Sequence, residues 1–309
     1  MPLKEIPKTA SPDFLRDLDL TDDELLTLLD LADDVKRRPR EYAHALEGKS
    51  IALLFEKPSL RTKLTFEQAI RQLGGDAAFL EGPIGVREPL KDVARNLERW
   101  FNGLVARVFA QQTVEELARW SRVPVINGLS DAFHPCQALA DVLTIREHFG
   151  RLKGLKVAFV GDGNNVAQSL MLTSLRLGMD FALACPEGYL PIPEVVSQAE
   201  GLAAVSGASL EIGHATEPAL AGAHTVYTDV WASMGQEQEA VIRRKAFQRY
   251  QVNEDLFAMA RPDAIFMHCL PAKRGEETTD GVMEHKRSVV FDQAENRLHA
   301  QKALLMMML

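Results

Sequence analysis

Nine short apolar runs alternate with stretches of helical spacing, and no other feature narrows the possible folds so far. The first four are Ile51–Phe55, Ala77–Leu80, Leu104–Phe109 and Val123–Ile126; the other five are Val157–Val160, Phe181–Ala184, Leu210–Ile212, Thr225–Thr228 and Ala264–Met267. Short runs with apolar residues at consecutive positions are what parallel strands covered on both faces require. Between them, Phe66, Ala69, Ile70 and Leu73 recur at helical spacing before Gly74-Gly75, and Leu90, Val93, Ala94, Leu97 and Phe101 do the same. An acidic amphipathic stretch lies near residues 20–38. Thr113-Val114-Glu115-Glu116 has the spacing of a capping box and predicts a helix start there. His134-Pro135 opens a helix to about Phe149, with proline in the first turn where its missing N–H is harmless. A last helical stretch begins near Asp292 and ends in the apolar tail 304–309, too short to span a bilayer and expected to pack back onto the body.

Two strand–helix series joined by one helix predict two doubly wound α/β domains, each with a central parallel sheet, joined by a long helix and a C-terminal helix. The expected division is 1–149, 150–290 and 291–309, and a chain of 309 residues suits two cores. With 46% hydrophobic and 25% charged residues the composition is that of a folded globular protein. A net charge of −8 argues against nucleic acid or a membrane surface as partner. Cys136, Cys185 and Cys269 lie far apart without a CxxC pair, which predicts no disulfide framework and a cytoplasmic location. No apolar run reaches the ~18–20 residues of a membrane span, and the start, up to Leu20, lacks an apolar secretion segment.

In doubly wound sheets, ligands bind beyond the carboxyl ends of the strands, and polar residues cluster after the predicted strands at five places. Glu56 to Lys63 offers the Ser59 and Thr62 hydroxyls, the Arg61 fork and a helix start, the components of a phosphate site; the plainer alternative is a helix cap with solvated bases. Arg107 lies within an apolar strand, so it needs an anionic or carbonyl partner, either a ligand or an internal salt bridge. In His134-Pro135-Cys136-Gln137, His134 and Gln137 share one helix face and could reach one small ligand, or be a capping histidine and a surface amide. Gly161-Asp162-Gly163-Asn164-Asn165 is half a dinucleotide fingerprint: a third glycine is missing and the next strand runs into Cys185-Pro186 with no ribose-binding acid. Asp229 to Gly235 and His268 to Pro271 each follow a strand; Asp229 could hold an ammonium group, and Cys269 could orient an amine or be an inert thiol.

Taken together, the ordered segments SxRT, RxF, HPxQ, GDxNN, DVWxSMGxE, HCLPA and ENRLH resemble the aspartate/ornithine carbamoyltransferase family, and DVWASMGQE and HCLPAKRGEE resemble its ornithine-using branch. The resemblance runs from about residue 20 to the C-terminus. It implies a carbamoyl-phosphate domain followed by an amino-acid domain, transfer of the carbamoyl group to the δ-amine of L-ornithine, a homotrimer or a multiple of it, and no metal or organic cofactor. It implies carbamoyl phosphate contacts at Ser59, Arg61, Thr62, Arg107, His134, Gln137, Cys269, Leu270 and Arg297, with Arg107, His134 and Cys269 catalytic. Ornithine contacts are implied at Asn165, Asp229, Ser233 and Met234. The chain departs from the commonest family motif at Leu60 and Lys63, and Glu81-Gly82-Pro83-Ile84-Gly85 stands where the family carries a glutamine in a loop serving a neighbouring subunit. Rival readings are a carbamoyltransferase for N-acylornithine, putrescine or aspartate, a nucleotide-dependent oxidoreductase resting on Gly161-Asp162-Gly163, and a binding protein without catalysis.

Overall fold

A computed structural model describes residues 6–232 and 237–309. The chain forms two compact units, Met1–Leu143 with Glu295–Leu309, and Thr144–Ala294. It passes from the first to the second within helix Pro135–Phe149 and returns within helix Val290–Met308.

The first unit holds β1 (Ser50–Phe55), β2 (Asp76–Glu81), β3 (Gly103–Arg107) and β4 (Val125–Leu129) in the order β2-β1-β3-β4. All pairings are parallel. The second holds β5 (Lys156–Val160), β6 (Asp180–Ala184), β7 (Leu210–Gly213), β8 (Thr225–Thr228) and β9 (Ile265–His268) in the order β7-β6-β5-β8-β9, again parallel throughout. Both are doubly wound sheets, as the alternation predicts. The strand order reverses between β1 and β3 in one unit and between β5 and β8 in the other. Ligands bind at such reversals, beyond the strand carboxyl ends. These positions carry Glu56–Thr62 and Arg107 in the first unit, and Gly161–Asn165 and Asp229 in the second.

Burial explains the strands. Ile51 to Phe55 and all of β3 are buried, and one face of the sheet packs Ala52, Leu54, Leu104 and Ala106 against Val93, Ala94 and Leu97 of helix Leu90–Leu97 and Val114 and Leu117 of helix Gln111–Trp120. In the second unit Ala158, Val160, Val226 and Phe266 pack with Trp231 and Phe247. The acidic stretch is helix Asp22–Arg37, capped reciprocally by Thr21 and Glu24 and burying Leu25, Leu28, Leu29, Ala32 and Val35. The apolar tail does fold back: Leu304 to Met308 are buried, and Thr9 N donates to Met307 O at 3.2 Å.

Three local expectations change. Helix Gln111–Trp120 begins before Thr113, so the capping box there does not form; Asp131 Oδ1 instead accepts from Gln111 N at 2.8 Å. An acceptor distant in sequence thus does the capping. β4 is Val125–Leu129 and not Val123–Ile126. Its polar Asn127 hides the strand in a hydrophobicity reading, yet it is fully buried, with Nδ2 donating to Leu15 O (3.0 Å) and Gln111 Oε1 (3.1 Å). β3 stops at Arg107, and Phe109 lies outside it, half exposed beside the Lys57 ammonium.

Candidate active site

In the first unit the site grows from helix Arg61–Gln72. Its N-cap, Leu60, supplies no side-chain acceptor, and its first turn holds no acid. Instead Arg61 and Lys63 stand there, against the helix dipole, which favours negative charge at this end. Uncapped N–H groups beside a guanidinium form an anion site. Lys63 is itself paired with Glu81 at the end of β2 and lies 4.8 Å from the Phe79 ring centroid, so its charge is directed to the strand edge.

Thr62 is the hub. It is 1% exposed, and its hydroxyl accepts from Arg107 Nη1 (3.2 Å) and Arg297 Nη2 (2.9 Å). With both lone pairs engaged, the hydroxyl proton is what Thr62 offers a ligand oxygen. Arg297 Nη1 donates to Gln137 Oε1 at 2.6 Å, and Gln137 Nε2 donates to Asp141 Oδ1 at 2.8 Å. Arg107, Gln137 and Arg297 are all buried. His134, also buried, has its imidazole pKa pushed well below the usual range, first by burial and then by Arg297, Arg107, Arg61 and Lys57. A neutral imidazole can donate one hydrogen bond to a carbonyl oxygen without competing for the phosphate charge. Among the described residues Ser59, half-buried ahead of the helix, makes no hydrogen bond to this set.

The second unit gathers a different group. Asp229, 5% exposed after β8, accepts from Asn164 Nδ2 at 2.8 Å and from Cys269 Sγ at 3.0 Å. Asn164 Oδ1 also caps helix Asn165–Arg176, accepting from Val166 N and Ala167 N at 3.0 and 3.1 Å. Asn165 begins that helix, half-buried. Leu270 sits at φ +59, a left-handed backbone that bulky residues seldom adopt. Its N–H donates to His268 Nδ1 at 2.8 Å, while His268 Nε2 lies 3.2 Å from Glu277 Oε1. Ser233 and Met234 lie outside the described residues.

Several participants were not singled out in the sequence. Lys57 sat within the Glu56–Lys63 segment without a role; it is buried, its ammonium pKa lowered first by burial and then by Arg107. Glu56 joins two loops, accepting from Ile84 N (3.0 Å) and Phe109 N (2.9 Å). Asn164, beside the chosen Asn165, touches Asp229. Asp141 had only one signal available, its place one helical turn after Gln137.

The features of a dinucleotide site are otherwise engaged. The helix N–H groups that a pyrophosphate would use donate to the Asn164 cap, and a Cβ on Gly163 would stand 2.5 Å from Pro191 N. That glycine admits the chain at Leu190-Pro191. Asp229, His268 and Cys269 place one donor atom each within 4.8 Å of one another. A metal there would have to break one of the two hydrogen bonds of His268.

The comparisons extend this picture along the chain. The family described as "Aspartate/ornithine carbamoyltransferase, carbamoyl-P binding domain" matches residues 12–147, and "Aspartate/ornithine carbamoyltransferase, Asp/Orn binding domain" matches residues 153–308. The ornithine carbamoyltransferase of Thermococcus kodakarensis is 52% identical over 301 residues, covering 96% of each chain. The ornithine carbamoyltransferase structure from Pyrococcus furiosus superposes with a TM-score of 0.93 at 51% identity, covering 96% of each chain. A structure of N-acetyl-L-ornithine transcarbamylase superposes with a TM-score of 0.88 at 34% identity, covering 96% of this chain and 99% of that one. With both halves matched and half of all residues shared along nearly the full length, the chain belongs to the aspartate/ornithine carbamoyltransferase family.

Proposed function

We propose that the protein transfers the carbamoyl group of carbamoyl phosphate to the δ-amine of L-ornithine, giving L-citrulline and phosphate. The observation that carries the chemistry is the convergence of Arg107 and Arg297 on the Thr62 hydroxyl at the start of an uncapped helix. This is a preorganised set of donors for an anion and a carbonyl oxygen, the kind of arrangement that stabilises charge as it develops. Identity of 52% to an ornithine carbamoyltransferase, against 34% to an N-acetyl-L-ornithine transcarbamylase, supports unmodified ornithine as acceptor.

In this reading Ser59, Arg61, Thr62 and the helix N-terminus hold the phosphate, and Arg107 spans phosphate and carbonyl oxygen. Neutral His134 donates to that oxygen. The amine lone pair forms the new C–N bond, the C–O bond to phosphate breaks, and the amine proton leaves with the phosphate or to solvent. The amine of free ornithine, with a pKa near ~10, is mostly protonated at neutral pH. Asp229, buried and already hydrogen-bonded to Cys269 and Asn164, attracts the ammonium groups of ornithine by a few kcal/mol at ~4 Å and an effective dielectric of about 20, and the δ-ammonium gives up one proton to Asp229 or Cys269 before its lone pair attacks. Asn165, Ser233 and Met234 keep the ornithine contacts the resemblance implies. An acidic Asp229 would repel aspartate, and acylation of the α-amine would remove one of the two positive charges that it attracts.

The working unit is proposed to be a homotrimer in the cytoplasm, with residues 1–149 as the carbamoyl-phosphate domain and 150–290 as the ornithine domain. No described helix is long and apolar enough to cross a membrane. The decisive experiment compares kcat/KM for ornithine, N-acetylornithine, putrescine and aspartate with carbamoyl phosphate as donor. Ornithine should lead by at least two orders of magnitude; preference for another acceptor would end this reading of Asp229.

A further inference from the structure

We propose that Asp141 is a positioning residue for carbamoyl transfer: it fixes the Gln137 carboxamide and, through it, the Arg297 guanidinium. The proposal rests on the carbamoyltransferase reading above.

Asp141 lies on helix Pro135–Phe149, four residues after Gln137 and so on the same face. It has no exposed surface, and a carboxylate is rarely placed there without a specific task. Gln137 is 1% exposed and held at both ends of its amide. Its Nε2 donates to Asp141 Oδ1 at 2.8 Å, and its Oε1 accepts from Arg297 Nη1 at 2.6 Å. An amide has two orientations that look alike in shape but exchange donor and acceptor. An ionised carboxylate only accepts and a guanidinium only donates. With Asp141 on one side and Arg297 on the other, one orientation satisfies both. Arg297 passes this order on, because its Nη2 donates to the Thr62 hydroxyl that also receives Arg107 Nη1. The sequence Asp141, Gln137, Arg297, Thr62, Arg107 is therefore one connected chain of hydrogen bonds. Asp141 also supplies negative charge to a surrounding that holds Arg61, Arg107, Arg297 and Lys57, the cations that act on His134.

The chain has a consequence that separates positioning from plain stability. Phosphate is assigned to the helix N-terminus, Ser59, Arg61, Thr62 and Arg107; Asp141 touches none of these and reaches Thr62 and Arg107 only at second hand, through Gln137 and Arg297. The carbamoyl end is assigned to Gln137 and Arg297, which it orders. Loss of Asp141 should therefore lower turnover far more than it alters binding of inorganic phosphate.

The test uses the full-length protein and the variants Asp141→Asn, Asp141→Glu, Gln137→Ala and the double variant Asp141→Asn/Gln137→Ala. Citrulline formation by the unmodified protein tests the underlying reading independently. The expected result is a loss of kcat of at least tenfold in Asp141→Asn, with the inhibition constant of inorganic phosphate changed less than threefold. Asp141→Glu, which keeps an acceptor-only group, should recover part of the loss. In the double variant the Asp141 substitution should add less than threefold to the effect of Gln137→Ala, since residues that act through one another are non-additive. Should Gln137→Ala not fold, the phosphate constant and the Asp141→Glu recovery decide the question. Undiminished kcat in folded Asp141→Asn, equal loss of turnover and phosphate affinity, or additive effects in the double variant would each overturn the proposal.

Discussion

Arg107 shows how much a single residue's surroundings decide. A guanidinium at a strand end announces an anion or a carbonyl in the sequence alone, and the structure gives it the Thr62 hydroxyl shared with Arg297. Arg107→Ala should lower kcat by ~10²–10³, or about 2.7–4 kcal/mol, the usual effect of deleting one donor to developing charge; near-normal turnover by the folded variant would remove Arg107 from the mechanism. His134 leads to a pH dependence of stability. Its pKa is lowered in the folded state, so the unfolded chain binds more protons as pH falls below about 6.5. The stabilisation is complete above that pH and is lost on acidification, at up to ~1.4 kcal/mol per pH unit until the folded pKa is reached. The stability difference between wild type and His134→Asn should therefore shrink between pH 7 and 5, as followed by urea unfolding; a constant difference would mean that His134 is not held neutral. At this scale the sequence carried the chemical types and not the partners. Asp141, Asn164 and Lys57 matter because a helix face or a loop brings them to a named side chain, and such proximity has no local sequence signal.

At the scale of elements, two helix N-termini divide the labour. Helix Arg61–Gln72 begins without a side-chain cap and among bases, whereas helix Asn165–Arg176 is closed by Asn164. The first is left to an anion and the second is not. The strands and most helices were readable because burial on both faces demands consecutive apolar residues. The start of helix Gln111–Trp120 was not, because its cap, Asp131, comes from another loop. Nor was β4, whose buried Asn127 depends on Leu15 and Gln111 for hydrogen bonds. Gly163 was readable only as part of half a dinucleotide fingerprint, whereas the space it leaves is filled by the chain at Leu190-Pro191. Gly163→Ala should destabilise the protein by ~1–3 kcal/mol, the usual effect of overpacking. Gly201→Ala, within helix Pro193–Ser206 and with nothing within 4 Å of its added Cβ, should be neutral or stabilising by ~0.5–1 kcal/mol. Chemical denaturation of both variants checks this, and equal stabilities would contradict the packing assigned to Gly163.

For the whole molecule, the edge of the first sheet leads to the last expectation. Among the described residues, β2 has β1 on one side and no strand on the other. Open strand edges invite pairing with another chain unless they are covered or charged. Around this edge stand exposed apolar side chains: Leu60 and Leu64 at the start of helix Arg61–Gln72, Leu80 in β2, and Val86 in the loop that follows, at 67%, 45%, 48% and 73% exposure. The Lys63–Glu81 pair and the bond from Ile84 N to Glu56 bind the helix start, strand end and loop into one surface. Exposed apolar groups collected in this way mark an association surface. Its position fits the homotrimer proposed above, in which loop 81–88 is proposed to reach a neighbouring subunit. Pro83 and Glu81 do not supply the family's glutamine there, so assembly through the surrounding apolar groups is separable from that contact. Leu80→Lys places a charge in the surface without disturbing a buried side chain. It should shift the sedimentation profile from trimer toward monomer. If the neighbour's loop is needed for turnover, activity per chain should fall with dilution in the variant at concentrations where wild type holds its rate. A wild-type protein that sediments as a fully active monomer would contradict the trimer, and a Leu80→Lys protein that stays trimeric would place the interface elsewhere.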